Sequence, residues 1–556
     1  MTPIEHRSPW RTGAARCALA GVVVTMLCAF APAAASAAVV TDLVSKSNGG
    51  IAGNGPSVNA RISADGSRIA FESAATQLIS TYNHNMTDIF VRKVGTGTTA
   101  LVSHAAGSTQ PANGGSIAPA ISADGRFVVF VSSATNLVPD VTATMTPGVY
   151  RRDLDTDAIV RIDVATGGVP ANRPARAYAS IDATGSRVAF VSMATNLDGR
   201  DPSVRPDVFV RDVDAGTTNL VSVAWDGVSG DQKSESPSIS GDGTRVAFAS
   251  DAMNLLATGA DVNGVRDVFV RDLSTGTTTL LSRGVSGLQG NAASDWPAIS
   301  GNGLLVAYVS QATNLVAQVA TSQQVYLSAV GTSHTECVSV GSTGRPGNAA
   351  ASNPGITADG RFVAFESEAT DLLSGPGGVF LRDRTANSTV RVAAGVMGGA
   401  ALLPNLSAAM GIFTSLSADG RFVAFESSVQ SLVQNVANGQ RQVYRSDTRS
   451  KGPAYLSAPT LKTNYIGRNV YFYLSGRISR HSARSSVRVY FYYKADGAPS
   501  YRKLKYVTVA LPARATSYRV KVRLPSRGNY CVRARHLADA QHTDTWSRSS
   551  IYFRIH

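Results

Sequence analysis

The chain has 556 residues and a formal net charge of +14. Its 51 glycines, its abundant Ser, Thr and Val and its few Glu-Lys-Leu helical patterns argue for a turn-rich, strand-rich fold and against a helical one. The length accommodates about seven units of roughly sixty residues and one further domain of roughly a hundred.

Residues 1–37 read as a secretion signal. Arg7, Arg11 and Arg16 precede an apolar run over 17–30, and Ala35-Ser36-Ala37 supplies the small residues of a cleavage site. The run is too short for a comfortable membrane span, and no Arg-Arg pair marks the twin-arginine route. The expectation is cleavage after Ala37 and a secreted, extracytoplasmic protein, associated with the cell envelope and lacking a transmembrane segment. Cys17 and Cys28 leave with the signal. Cys337 and Cys531 remain and read as small buried hydrophobes.

Val40-Thr41-Asp42-Leu43-Val44-Ser45 is the first strand after the signal. It matches the strands that end in Leu101-Val102-Ser103, Leu220-Val221-Ser222 and Leu280-Leu281-Ser282. Those close a unit that recurs seven times, aligned on Gly66, Gly125, Gly185, Gly243, Gly303, Gly360 and Gly420, at spacings of 57 to 60 residues. In the fourth copy, Ser238-Ile239-Ser240 leads into the turn Gly241-Asp242-Gly243, then a strand from Arg245 to Ser250. A third strand follows from Asp267 to Asp272, then the turn Ser274-Thr275-Gly276 and a fourth strand from Thr277 to Ser282. Four antiparallel strands repeated side by side make the blades of a β-propeller. The seventh copy stops after its third strand, so the N-terminal strand is expected to close it. The predicted fold is all-β: a seven-bladed β-propeller over residues 38–447, a linker over 448–459 and a small β-sandwich over 460–556.

Ser417-Ala418-Asp419-Gly420-Arg421-Phe422-Val423-Ala424-Phe425 and its sister copies resemble the TolB-type, WD-like propeller repeat of bacterial envelope proteins. TolB itself has an α/β domain and six blades, and this chain has neither. The resemblance implies a fold, and propellers host binding proteins and enzymes alike.

Within each copy the turns between strands one and two and between strands three and four are tight, and the other connections are long and variable. Alternation puts the long loops on one face, the expected working surface. Glu235, Asp295 and Trp296 lie there, just before first strands, and are the candidate binding residues. Trp296 has the shape to stack a sugar or peptide group, or to pack between blades. Asp261, Asn263 and Asp267 space oxygen ligands in a way that suits calcium. A polar turn is the preferred reading, and no cofactor is otherwise implied. The aspartates before the turn glycines, such as Asp124, Asp242, Asp359 and Asp419, are expected to hydrogen-bond the local backbone. Arg211, Arg271 and Arg382 are expected to form ion pairs or stacks between blades.

A sialidase-type Ser-x-Asp-x-Gly-x-x-Trp box, a Gly-x-Ser-x-Gly elbow and metal-spaced histidines are all missing from the sequence. Beyond the linker, 12 of the 18 tyrosines fall between Tyr455 and Tyr552. Gly528-Asn529-Tyr530-Cys531-Val532-Arg533-Ala534 followed by Trp546-Ser547 resembles the late strands of an immunoglobulin-like or fibronectin III-like module. From Ala454 onward there are 19 Lys and Arg against 3 Asp, so the positive charge belongs to this part. Arg488, Lys494, Arg502, Lys503, Lys505, Arg519, Lys521 and Arg523 are the candidate polyanion-binding residues, suited to anionic wall polymers or lipid head groups. Nucleic acid is not the expected partner, because no recognition motif accompanies the charge. The favoured function is a non-enzymatic scaffold that binds a protein or glycan through its long-loop face. The alternative is a carbohydrate-active propeller enzyme, a glycoside hydrolase or lyase.

Overall fold

The computed structural model describes residues 40–393 and 414–449, except 81–83, 139–146, 258–259, 285–286, 319, 342, 374, 376, 430–431, 434–435 and 437–438. Beyond them it describes 460–461, 471–477, 485–494, 500–511, 517–524, 528–536, 545–546 and 551–555. The signal over 1–37 and nearly all of the expected linker lie outside the described residues.

The described chain is all-β, and no described helix is long and apolar enough to cross a membrane. Its larger part is a series of four-stranded antiparallel sheets, an arrangement consistent with a propeller. Sheet one is Ser57–Ile62, Arg68–Ser73, Asp88–Lys93 and Thr98–Leu101; sheet two is Ser116–Ile121, Phe127–Ser132, Gly148–Asp153 and Ile159–Arg161. Sheet three is Ala175–Ile181, Arg187–Ser192, Asp207–Asp212 and Thr217–Leu220; sheet four is Ser234–Ile239, Arg245–Ser250, Asp267–Asp272 and Thr277–Leu280. Sheet five is Ser294–Ile299, Leu305–Ser310, Gln324–Ala329 and Thr335–Cys337; sheet six is Ala351–Ile356, Phe362–Ser367, Gly378–Asp383 and Ser388–Arg391. Sheet seven takes Ser415–Leu416, Phe422–Ser427 and Gln442–Asp447 from one end of the chain and Val40–Leu43 from the other, with Val40 opposite Asp447 and Leu43 opposite Tyr444.

The first strands begin earlier than the sequence suggests, at Ser234 rather than Ser238 in sheet four. Pro237 has no N–H to give to the ladder, so the register breaks between Glu235 and Ser238 and then resumes. In five sheets the residue at this bulge has a left-handed backbone: Asn59, Ala118, Ser236, Trp296 and Asn353, with φ between 53° and 55°.

Packing repeats as strictly as pairing does. In every sheet an aromatic residue of strand two faces one of strand three, from Phe71 on Phe90 to Phe425 on Tyr444. Apolar clusters fill the space between neighbouring sheets, as where Val191 and Val208 of sheet three meet Val246 and Phe248 of sheet four. Val443 and Ala424 of sheet seven meet Ile62 and Phe71 of sheet one in the same way. Each such side chain, fully buried, is worth about 1.5–3 kcal/mol.

The tight turns tie the sheets together by their backbones. Asp65, Asp124, Asp242, Asp359 and Asp419 each accept a hydrogen bond from the main-chain N–H two residues on, and from the Ser or Thr two residues before. From one turn to the next run hydrogen bonds from Ala64 N–H to the Ala123 carbonyl, Ala123 to Ala183, Ala183 to Gly241 and Gly241 to Gly301. Asn302 donates to Ala358, and Ala418 of sheet seven donates to Ala64 of sheet one at 2.8 Å. Each turn glycine, with φ between 68° and 82°, sits against the side chain that opens strand two of the preceding sheet. Gly66 rests on Phe422, Gly185 on Phe127 and Gly243 on Arg187. Arginines of the preceding sheet cap several of these glycine carbonyls: Arg68 on Gly125, Arg151 on Gly185, Arg187 on Gly243, Arg245 on Gly303 and Arg445 on Gly66.

Within sheets, Arg126, Arg187, Arg245, Arg361 and Arg421 pair with Asp153, Asp212, Asp272, Asp383 and Asp447. Arg211 behaves differently from the ion pair or stack expected of it. It donates to the Ala165 carbonyl of the preceding connection and to Thr218, because the outer seam presents main-chain oxygens and no carboxylate.

The C-terminal strands form a three-stranded sheet, Thr460–Leu461, Tyr471–Arg477 and Ser517–Arg523, and a second sheet of Arg502–Leu511, Ser485–Lys494, Gly528–His536, Thr545–Trp546 and Ile551–Ile555. Leu474, Val520 and Val522 of the first pack on Val487, Val489, Phe491 and Val532 of the second. Cys531 is buried, Cys337 is partly buried and both are free thiols. Burial pushes the Cys337 thiol up to about 11.

A Cβ added at Gly66 runs into the Phe422 ring, whereas one at Gly50 (φ 82°) meets nothing within 4 Å. Gly66→Ala is expected to cost about 2–4 kcal/mol and Gly50→Ala about 1 kcal/mol, for its backbone alone. Denaturant midpoints of the two variants test this, and equal losses would contradict the contact.

Candidate functional site

The bulges carry the side chains that differ most between sheets. At the bulge position stand Asn59, Ala118, Tyr178, Ser236, Trp296 and Asn353, and two residues beyond Asn59 is Arg61, where the other copies have Ala, Ser or Gly. A small cavity of about 40 Å³ is lined by Asn59, Arg61, Glu72, Ala118, Tyr178 and Ser236, drawn from sheets one to four. Towards the tight turns a cavity of about 230 Å³ is lined by residues of all seven first strands, from Ile62 to Leu416. The Trp296 ring meets the Tyr178 ring edge-on at 5.7 Å, which brings sheets three and five together.

Glu235 and Asp295, from neighbouring sheets, converge on one guanidinium. Arg266 reaches Asp295 at 2.8 Å and both Glu235 and Asp251 at 3.4 Å, and Lys233 lies 3.8 Å from Glu235. Asp295 also accepts the Trp296 main-chain N–H at 2.7 Å, which fixes the left-handed bulge on which Trp296 sits. Trp296, Asp295 and Glu235 are therefore brought together, with the two acids and Asp251 sharing the Arg266 guanidinium and the Lys233 ammonium.

Asn263 and Asp267 are in direct contact. The Asn263 amide donates to Asp267 at 2.6 Å and to the Gly290 carbonyl. The other Asp267 oxygen accepts the Ser282 hydroxyl. Asp261 accepts the Asn263 main-chain N–H and lies 3.4 Å from the Gln289 amide. The Asp267–Ser282 link recurs as Asp88–Ser103 and Asp207–Ser222, and in all three the serine also accepts the N–H of the second residue of strand three. Burial pushes Asp207 up to about 8 and Asp267 up to about 6. Among the described residues no three His, Cys, Asp or Glu are grouped to hold a metal ion.

The eight basic residues of the C-terminal strands divide between two sheets. Arg519, Lys521 and Arg523 are exposed, alternating with the buried Tyr518, Val520 and Val522. On the other sheet Arg488 lies over Tyr506, Lys494 over Tyr501, Arg502 over Tyr493 and Lys503 over Tyr490, at 4.7 to 6.0 Å from the ring centres. Lys505 donates to the Arg523 carbonyl. The tyrosines thus carry the cations on their faces.

Sequence reasoning passed over three glutamates. Strand two ends Phe-Glu-Ser in sheets one, six and seven, which are neighbours in the series of turn contacts. Glu72 accepts the bulge N–H of Ala118 in the next sheet at 2.7 Å, and Glu426 accepts that of Asn59 at 3.4 Å. Glu366 accepts the Asn353 amide at 2.8 Å and leaves its other oxygen buried without a hydrogen-bond partner. Burial, reinforced by the Glu426 charge, pushes Glu366 up to about 8; burial pushes Glu426 up to about 7 against the opposing Arg441. The repeated Phe-Glu-Ser was the available signal, since other copies have Val or Ala in place of Glu.

No family model matches the chain, and no curated protein matches it. Among solved structures it is similar to a prolyl endopeptidase, with 10% identity, a TM-score of 0.41, and coverage of 77% of this chain and 55% of that one. It is also similar to the GH74 xyloglucanase of Xanthomonas campestris, with 10% identity, a TM-score of 0.39, and coverage of 92% of this chain and 81% of that one. The chain spans little more than half the length of the prolyl endopeptidase.

Folding holds protons on Glu366 and Glu426 that the unfolded chain releases above about pH 4.5. The stability from these protons is full below that pH and is lost as pH rises through 7 to 8. Denaturant unfolding between pH 5 and 8.5 is expected to show a fall of at least roughly 2–4 kcal/mol, to which Asp207 and Asp267 also contribute, and Glu366→Gln is expected to remove part of it. A wild-type profile without slope would contradict the assignment.

Proposed function

We propose that the seven sheets close into a seven-bladed propeller of the TolB type, sealed by the N-terminal strand, in a secreted protein that acts as a binding scaffold. The ligand, a protein segment or glycan, enters from the long-loop side and is met by Trp296, Tyr178 and Arg61. The observation that carries this reading is that these three groups occur once each on an otherwise repeated surface, and repetition is what folding alone demands. An aromatic pair beside a guanidinium suits the flat face of a sugar or of a peptide side chain. Under this reading the C-terminal strands form a basic immunoglobulin-like sandwich that attaches the protein to anionic envelope polymers.

A second reading, a glycoside hydrolase or lyase, is favoured by one observation: Glu366 and Glu426, on adjacent sheets, both titrate near neutral pH. Binding is preferred because Glu426 accepts a main-chain N–H, so its carboxylate has a role in shaping the inner strands.

Sedimentation with isolated envelopes tests the attachment. The full-length protein is expected to pellet at low salt and to be released as ionic strength rises toward about 1 M, where screening is nearly complete. Replacing Arg519, Lys521 and Arg523 by Gln is expected to shift release to lower salt. Pelleting that ignores both salt and substitution would assign attachment to the propeller. Trp296→Ala is expected to weaken retention of the ligand by at least about tenfold, and Trp296→Phe, which keeps an aromatic ring beside Tyr178, to weaken it less.

A further inference from the structure

The outer seam between sheets is normally closed by hydrogen bonds to the connection that precedes it. Arg92 and Thr99 donate to the Lys46 carbonyl, Arg152 to His104, Arg211 to Ala165 and Thr218 to Val164. Thr335 donates to Arg283 and Thr389 to Val340. Between sheets three and four the equivalent residues are Arg271 and Thr278, and neither makes such a bond. Arg271 donates only to the Thr278 hydroxyl, at 2.9 Å, and has no carboxylate within ion-pair distance among the described residues.

The opened seam is a groove of about 550 Å³ lined by Arg187, Arg200, Arg271, Thr217, Asn219 and Ser274, among others. Arg187 is held by Asp212 and the Gly243 carbonyl, and Arg200 by both oxygens of Asp198. Counting these two acids, the groove keeps one net positive charge, on Arg271. Burial and the neighbouring Arg200 charge both lower the Arg271 pKa, the sign of a cation lacking a counter-ion. Arg200 comes from Asp198-Gly199-Arg200 in the loop after strand two, and no other copy has an arginine at that place in this loop.

We infer that this groove is a second binding site, for a saccharide carrying an anionic group, with Arg271 and Arg200 receiving the carboxylate, sulfate or phosphate and Asn219, Thr217 and Ser274 the sugar hydroxyls. Guanidinium N–H groups match the oxygens of such anions in pairs. The volume lies within the range of ligand pockets and exceeds what a bare oxyanion fills.

Calorimetric titration of the full chain with tetragalacturonate, with a neutral galactose tetramer and with sodium sulfate tests this. The acidic tetramer is expected to bind, the neutral one not, and sulfate to bind at least tenfold more weakly than the acidic tetramer. Arg271→Gln and, separately, Arg200→Gln are each expected to weaken the acidic tetramer tenfold or more. Arg200 is on a loop, so its variant decides the matter if Arg271→Gln disturbs the sheet. Absence of binding, equal binding of the two tetramers, sulfate binding as tightly as the acidic tetramer, or no effect of Arg200→Gln would each overturn the inference.

Discussion

Everything in the repeated part of this molecule depends on how one tight turn meets the next. A glycine in the left-handed region gives its carbonyl to an arginine of the preceding sheet and its bare Cα to the side chain opening that sheet's second strand. A Cβ is excluded twice, by the backbone angle and by the neighbour. The glycine recurs at every step and the arginine at five of the seven, and the copies keep a spacing of 57 to 60 residues. The turn-to-turn hydrogen bonds pass from sheet seven back to sheet one through Ala418 and Ala64, which brings the first and last sheets of the repeated part together. Pairing of Val40–Leu43 with Gln442–Asp447 covers an edge that would otherwise be exposed.

Rigidity at the tight-turn end leaves the other end free to differ. The inner-strand bulges withdraw one residue per sheet from the ladder, and that residue is no longer chosen by pairing. Asn, Ala, Tyr, Ser and Trp all occur there. Behind them the glutamates of sheets one, six and seven take the place of apolar neighbours. Glu72 and Glu426 stitch bulge to sheet across the seam, and Glu366 stores a proton in the core. The outer seam between sheets three and four departs from its neighbours in the same sense, since neither Arg271 nor Thr278 reaches a carbonyl of the preceding connection, whereas Arg211 and Thr218 both do and Thr389 does beside Arg382.

The repeated strands and turns were legible because their chemistry is local. Asp124 before Gly125 announces its own turn, since the carboxylate reaches only two residues along. The first strands were read too short because Pro237 looks like a stop, when it marks a bulge after which pairing resumes. The candidate site was half legible. Trp296, Asp295 and Glu235 were singled out as loop residues, but they lie within first strands at the bulges, and Arg266, which joins the two acids, comes from a loop that no spacing in the sequence connects with them. Glu366 was missed because burial and the Glu426 charge come from the neighbouring sheet. Arg271 was read with Arg211 and Arg382 as one class. Its difference from Arg211 lies in a hydrogen bond it does not make, which a sequence cannot record.

The central claim is that the first and last strands of the repeated part, Val40–Leu43 and Gln442–Asp447, are joined in one sheet. Thr41 and Ser446 face each other across that junction with their hydroxyls 2.8 Å apart, so cysteines at both positions are close enough to bridge. In the double variant Thr41→Cys, Ser446→Cys, oxidation is expected to yield a cross-linked peptide by mass spectrometry and to stabilise the fold by up to about 4–5 kcal/mol, the entropy of closing so long a loop. Thiols that stay free under oxidising conditions, with an unchanged unfolding midpoint, would contradict the closure and the account built on it.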